Sequence, residues 1–372
     1  MSNSNNNELK TGWLKTIRSG AGFLRDPDNS LQRRDNDIYV PNKFIDRYNL
    51  TDGASVTGPV SRNNKGLKLD AVETVCGVDP ERFRDRRSFE ELTALKPTER
   101  FNLSASNELS MRILDLLVPI GKGTRSLIVS PPRAGKTTIL EQLATAIYAD
   151  APECNVIVFL IDERPEEVTQ FKRNTPEQVQ VIASSNDQSV EDHVNLTEMM
   201  MEHTRSELEC GNDLVLLVDS LTRLARTHNL AGSGDTGRTM SGGIDAGAME
   251  TPRRFFGMAR DTEEGGSLTM IATALKDTGS QMDEVIFEEF KGTGNSELVL
   301  DRSLADKNIY PALDIQQSGT RNDEKLHNPQ DYEKINRLRR QLLDMGNEEA
   351  IEQLRSLLQE HKTKDEFLSR IP

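Results

Sequence analysis

Residues 125–138, Arg-Ser-Leu-Ile-Val-Ser-Pro-Pro-Arg-Ala-Gly-Lys-Thr-Thr, constrain the fold of this chain more than any other stretch. Their first half is a short apolar run of the kind that forms a buried strand. A turn with Pro131, Pro132 and Gly135 follows, and Lys136-Thr137 opens a helical stretch over 138–149. Strand, tight turn, Gly-Lys-Thr and helix together aim backbone N–H groups and a helix N-terminus at one anion. Pro132, Arg133, Ala134, Gly135, Lys136, Thr137 and Thr138 are therefore candidate nucleotide contacts. Lys136 is placed for the β- and γ-phosphates of a nucleotide, and Thr137 for Mg²⁺. The general pattern begins on Gly, whereas this chain has Ser130.

Beyond this loop, apolar runs at 155–161, 179–184, 214–218, 267–274 and 297–300 alternate with helical stretches. Continuous apolar strands separated by helices predict a mostly parallel sheet covered on both faces. Three runs besides that of the phosphate loop end in polar groups: Asp162-Glu163-Arg164, Asp219-Ser220-Leu221-Thr222-Arg223 and Thr273-Ala274-Leu275. All would lie on the carboxyl edge of the sheet, where open α/β folds bind ligands. An NTPase needs a carboxylate behind Mg²⁺, which Asp219 supplies, and another to polarise water, which Glu163 supplies.

The N-terminal 76 residues differ in character. Residues 1–10 are Asn/Ser-rich and are expected to be disordered. Residues 11–76 read as about five short strands, which suggests a small all-β barrel of the OB type. Gly20-Ala21-Gly22-Phe23-Leu24-Arg25 resembles the strand motif by which cold-shock barrels stack bases. Phe23 and Tyr39 are candidate stacking platforms, with Arg25, Arg47 and Lys68 for phosphates; the two rings equally suit a barrel core. Residues 77–118 read as a connector, and 119–372 as the nucleotide-binding domain with C-terminal helices.

The formal net charge of −14 argues against a general polyanion binder, yet residues 11–70 carry a balance of +3. Contact with nucleic acid should therefore be local. The chain has no apolar stretch long enough to span a membrane and no apolar signal core at its start, so a cytoplasmic protein is expected. Cys76, Cys154 and Cys210 lack metal-ligand spacing and read as inert thiols.

Six longer strings then resemble the transcription termination factor Rho family. They are Leu-Ile-Asp-Glu-Arg-Pro-Glu-Glu-Val (160–168), Asp-Ser-Leu-Thr-Arg-Leu-Ala-Arg (219–226), Arg-Arg-Phe-Phe-Gly (253–257), Glu-Glu-Gly-Gly-Ser-Leu-Thr (263–269), Met-Asp-Glu-Val-Ile-Phe-Glu-Glu-Phe-Lys-Gly-Thr-Gly-Asn (282–295) and Ser-Gly-Thr-Arg (318–321). The resemblance implies an α/β RecA-like ATPase domain preceded by the small OB-fold, cold-shock-like barrel. It implies a homohexamer that hydrolyses ATP, translocates 5′→3′ on single-stranded RNA and releases transcripts from the RNA polymerase elongation complex. By the same resemblance Glu163 is the catalytic base, and Arg164 and Arg223 lie on the phosphate side. Arg321 is an arginine finger acting on a neighbouring subunit's ATP. Tyr310 stacks on adenine, and Arg238 and Lys291 line the RNA pore. Ala21 and Gly66 stand where the family has base-stacking aromatics, and Asn308 where it has a basic residue. These departures leave a second reading, an accessory RNA-binding ring with weakened primary-site capture. A rotary ATP-synthase subunit shares the core but lacks the barrel motif and the Ser-Gly-Thr-Arg string.

Overall fold

The computed structural model describes residues 8–64, 66–232, 241–245 and 247–371. Its first unit contains β1 (Glu8–Thr16), β2 (Gly22–Arg25), β3 (Ile38–Val40), α1 (Asn42–Tyr48), β4 (Ser55–Asn63), β5 (Gly66–Leu69) and β6 (Thr74–Val75). Neighbouring strands run in the order β1-β2-β3-β5-β4, and β4 pairs back onto β1, so five strands close a barrel. Alternation along the strands sends Leu14, Leu24, Val40, Val56 and Leu69 inward. Two features depart from expectation. Glu8–Lys10, within the stretch expected to be disordered, begins β1: its side chains are exposed, but its backbone pairs with Gly58 to Val60. Helix α1 was not anticipated; it buries Phe44 and Tyr48 against the barrel core.

The segment after the barrel is more than a connector. It carries α2 (Pro80–Arg84), β7 (Ala94–Leu95) and α3 (Leu109–Leu117). Met111, Ile113, Leu114, Leu116 and Leu117 of α3 are buried in the core of the second unit. Charged residues over 81–100, upstream of α3, concealed its apolar spacing from a reading by composition.

The second unit comprises β8 (Arg125–Ser130), α4 (Lys136–Asp150), β9 (Asn155–Glu163), α5 (Pro165–Asn174), β10 (Gln180–Ser185), α6 (Val190–Glu209), β11 (Leu214–Asp219), α7 (Leu221–Gly232), α8 (Glu250–Gly257), β12 (Asp261–Thr262), β13 (Leu268–Leu275), α9 (Gln281–Phe290), β14 (Ser296–Val299), α10 (Arg302–Asp306) and β15 (Gly319–Thr320). Helices α11 (Pro329–Leu343), α12 (Asn347–Glu360) and α13 (Lys364–Arg370) follow. The seven-stranded sheet has the order β10-β9-β11-β13-β8-β14-β15, parallel except for β15. Its central strands β9, β11 and β13 are mostly apolar because both faces are covered. Along β9, Val156, Val158 and Leu160 enter one core, while Ile157, Phe159 and Ile161 enter the other.

The barrel is seated on α6 and β10. Trp13 stacks on His203 with ring centroids 3.5 Å apart, and the His203 ring meets Gly53 O at 3.0 Å. A Cβ on Gly53, whose φ is +77°, would come within 2.2 Å of the His203 amide nitrogen, so this approach requires glycine. Leu31 is buried in the second unit's core, and Ala183 N donates to Ser30 Oγ at 3.0 Å. Among the described residues, no helix is long and apolar enough to cross a membrane.

Candidate nucleotide site and RNA-facing surfaces

The carboxyl ends of β8, β9, β11 and β13 bring the predicted polar groups together. After β8 the chain turns through Arg133 and Gly135, both at positive φ, and enters α4 at Lys136. Ser130 does not have a positive φ; its buried hydroxyl donates to Pro131 O at 2.9 Å. The first position of this loop therefore does not need glycine's conformational freedom, which explains why Ser is accommodated there. Ala134 is buried, Pro132, Lys136 and Thr137 are half-buried, and Arg133 and Thr138 are exposed. Tyr310, itself exposed, lies over the loop: a Cβ on Gly135 would meet its ring at 3.2 Å.

Lys136 Nζ reaches across to both carboxylate oxygens of Asp219 at the end of β11. Asp219 is buried and also accepts a 2.9 Å hydrogen bond from the Thr273 hydroxyl on β13. Thr222 Oγ1 accepts from Leu275 N at 2.9 Å, which fixes the first turn of α7 to the end of β13. Strand register puts these partners side by side, since β13 lies between β11 and β8. Periodicity alone carried no signal for the Thr273 and Thr222 bonds.

Glu163 ends β9 with only 1% of its surface exposed. Its Oε1 accepts from Arg223 Nη2 at 2.9 Å and from Arg164 N at 3.1 Å. Its Oε2 is buried with no hydrogen-bond partner among the described residues. Burial raises the pKa of this carboxyl to about 7; the nearby Asp219 charge acts in the same direction and Arg223 opposes it. A buried carboxylate with one free oxygen and a pKa near neutrality is suited to accept a proton from water. Arg223 also donates to Asp162 O, while Arg164 is exposed at the start of α5.

Arg321 lies elsewhere. It follows β15, and its amide donates to Asn295 O at 2.8 Å beside Arg125, at the amino end of β8. At about 3.3 Å per residue, the six residues of β8 separate it by roughly 20 Å from the loop after Ser130. Its side chain is exposed and has no ion-pair partner among the described residues.

Across the barrel, Lys15, Phe23, Tyr39 and Lys68 occupy one continuous register row through β1, β2, β3 and β5. Phe23 is half-buried and Tyr39 is 38% exposed, with their rings edge to face at 5.8 Å. Their neighbours Leu24, Ile38 and Val40 fill the core instead, so the two rings form an outward platform. Lys15 is bonded to Asp52 at 2.7 Å, and Arg25 pairs with Asp37. Arg47 lies on α1, 3.4 Å from Glu81 and with its guanidinium over the Tyr48 ring. Ala21 is buried, whereas a Cβ on Gly66 would meet nothing within 4 Å. Lys291 is exposed at the end of α9, 3.3 Å from Glu288. Arg238 lies outside the described residues.

The model of the Rho termination factor RNA-binding domain matches residues 10–81. The model of the ATP synthase alpha/beta family nucleotide-binding domain matches residues 110–320. Transcription termination factor Rho of Cereibacter sphaeroides is 46% identical over 96% of this chain and 85% of its own length. That of Aquifex aeolicus is 46% identical over 96% and 83%. Among solved structures, an ATPase of a bacterial type III secretion system superimposes with a TM-score of 0.62 at 19% identity, covering 84% of this chain and 92% of its own. The ATP synthase subunit NeqB of Nanoarchaeum equitans gives 0.58 at 18%, covering 69% and 64%. These two structures share the RecA-like ATPase fold with this chain.

Proposed function

The chain belongs to the transcription termination factor Rho family, and we propose that it is an RNA-dependent ATPase. As a cytoplasmic homohexamer it translocates 5′→3′ on single-stranded RNA, unwinds RNA–DNA hybrids and releases transcripts from the RNA polymerase elongation complex. The observation that carries the catalytic reading is the unpartnered buried oxygen of Glu163 beside the Lys136–Asp219 pair. Phosphate oxygens of ATP compete with Asp219 for Lys136, with the backbone of the 132–135 turn around them. Tyr310 stacks on the adenine from above Gly135. Glu163 Oε2 takes the proton of the attacking water, while Arg164 and Arg223 stabilise phosphoryl charge. The Thr137 hydroxyl and the Asp219 carboxylate are hard oxygen donors that fit Mg²⁺. When bound, Mg²⁺ neutralises charge on the β- and γ-phosphoryl oxygens.

Arg321 serves a neighbouring copy, because its own site lies on the far edge of its own sheet. The Phe23–Tyr39 platform binds bases, with Arg25, Arg47 and Lys68 on the backbone. Arg25 must leave Asp37, and Arg47 must leave Glu81, to do so. Arg238 and Lys291 line the pore.

The test is ATP hydrolysis with and without poly-cytidine RNA, combined with native mass measurement. Hydrolysis stimulated by RNA in a particle of six chains is expected. Absence of stimulation at every RNA concentration overturns the reading. The Glu163 pKa adds a second expectation. Below about 7 the base is protonated, so kcat/KM for ATP rises about tenfold per pH unit and levels off above. A flat profile between pH 5.5 and 8 would assign the base elsewhere.

A further inference from the structure

Cys76 and Cys210 stand far apart in sequence, but the fold brings them together. Cys76 follows β6, the last strand of the barrel, and Cys210 ends α6 of the second unit. Both are buried, and Cys210 packs into the barrel's core although its helix belongs to the other unit. The two thiols are close enough to hydrogen-bond each other. The chain around them is held in place. Cys76 N donates to Ser55 O at 2.7 Å, and Cys76 O accepts from Asn212 Nδ2 at 2.8 Å. Asn212 lies just past the end of α6, with its amide on Glu207 O at 3.0 Å.

The pair completes a seam. His203, Ser206 and Cys210 recur at helical spacing along one side of α6, and each meets the barrel. His203 takes Trp13 and Gly53, and Ser206 Oγ lies 3.2 Å from Thr51 Oγ1. Cys210 takes Cys76, the one contact of these three that can become a covalent bond. A cavity of 540 Å³ lies beside it, with Cys76, Gly77, Gly211 and Asn212 in its lining. It gives a small reagent a path to Cys76.

We propose that Cys76 and Cys210 form a reversible disulfide clamp between the barrel and the ATPase domain, made by small disulfide oxidants. The Cys76 thiolate attacks one sulfur of a reagent R–S–S–R, whose S–S bond breaks to release RS⁻. The Cys210 thiolate then attacks the Cys76 sulfur of the mixed disulfide and releases a second RS⁻. The protein thiols give up two electrons, the reagent is reduced to two thiols, and the two protons lost by the protein end on them. The bond needs the sulfurs about 2 Å apart, so rotation of the two side chains from contact closes it. The Cys210 thiol, burial and the Glu207 carboxylate push the Cys76 thiol well above the ordinary thiol range. Little thiolate exists at neutral pH, so the pair stays reduced where reductant is plentiful and closes when oxidant persists. Once closed, the bond fixes the barrel and its Phe23–Tyr39 platform against the motor. Reduction releases it.

The test uses the full-length protein, incubated at mildly alkaline pH with bis(2-hydroxyethyl) disulfide, quenched with acid, then unfolded and alkylated with N-ethylmaleimide. Intact mass counts the free thiols, and peptide mapping locates any bridge. The untreated chain is expected to take a label on Cys76, Cys154 and Cys210 alike. The treated chain keeps only the label on Cys154, with Cys76 and Cys210 in one linked peptide, and dithiothreitol restores the other two. The oxidised protein melts about 5 °C or more above the reduced one, because the bond closes a long loop of the unfolded chain. Cys76→Ser and Cys210→Ser chains give no internal bridge and no such rise. Cys76 and Cys210 both free after treatment overturn the proposal. So does a bridge that uses Cys154 or joins two chains, and so does a reagent adduct on Cys76 that never resolves onto Cys210. A Cys76–Cys210 bridge that lowers the melting temperature also overturns it, because the bond then strains the seam instead of clamping it.

Discussion

Glu163→Gln leaves ATP binding intact and lowers turnover by about 10²-fold or more. Glutamine keeps the size of the side chain and an oxygen for the Arg223 and Arg164 N–H groups, which are the contacts that orient Glu163. It removes only the basicity of the buried second oxygen. The readouts are nucleotide affinity by equilibrium titration and hydrolysis in a single turnover. Turnover near that of the parent would exclude Glu163 as the base. The substitution should not cost stability at pH 8. The folded-state pKa is raised, so ionising Glu163 opposes folding, an effect absent below the ordinary carboxylate pKa and complete above about 7. A neutral amide avoids that opposition, and the variant is expected to melt at or above the parent's temperature at this pH.

Arg321→Ala is expected to lower turnover by about 10³-fold, the scale on which an arginine finger acts. The defect should be rescued by a partner defective elsewhere. Subunits with Arg321→Ala mixed with subunits with Lys136→Ala form some sites in which an intact phosphate loop faces an intact finger. Recovery of ATPase in mixed rings verified by native mass supports action between subunits. No recovery in such rings would mean that Arg321 acts within its own chain, against the roughly 20 Å set by the length of β8.

The parts of the site legible in the sequence were those in which one strand carries its own punctuation. Asp219 follows an apolar run directly, Glu163 lies one residue past another, and Lys136 closes the short turn after a third, so reading the strands located them. What a strand end touches depends on sheet order, which no local pattern encodes. The Thr273–Asp219 bond follows from β13 lying beside β11, and the distance from Arg321 to its own phosphate loop from β14 lying between β8 and β15. Phe23 and Tyr39 were ambiguous because an alternating strand has two faces, and closure of the barrel decides which one is inside. Glu8–Lys10 and α3 were misread for opposite reasons. The first is ordered by backbone pairing, to which its polar side chains contribute nothing visible. In the second, buried residues at helical spacing sit within a charged stretch.

With Arg321 serving a neighbouring copy, as proposed above, its place on the amino edge and that of the phosphate loop on the carboxyl edge would make each subunit a directional piece, with a donor side and an acceptor side facing apart. A two-fold pair cannot satisfy both, so the contact is head-to-tail and must repeat until it closes on itself or climbs as a spiral. In such a chain of subunits, the number of complete catalytic sites equals the number of joints. On that proposal, parting one joint to let a strand of RNA enter would silence one site at that same instant. Loading the track and disengaging one cylinder of the engine become a single event, and resealing restores both.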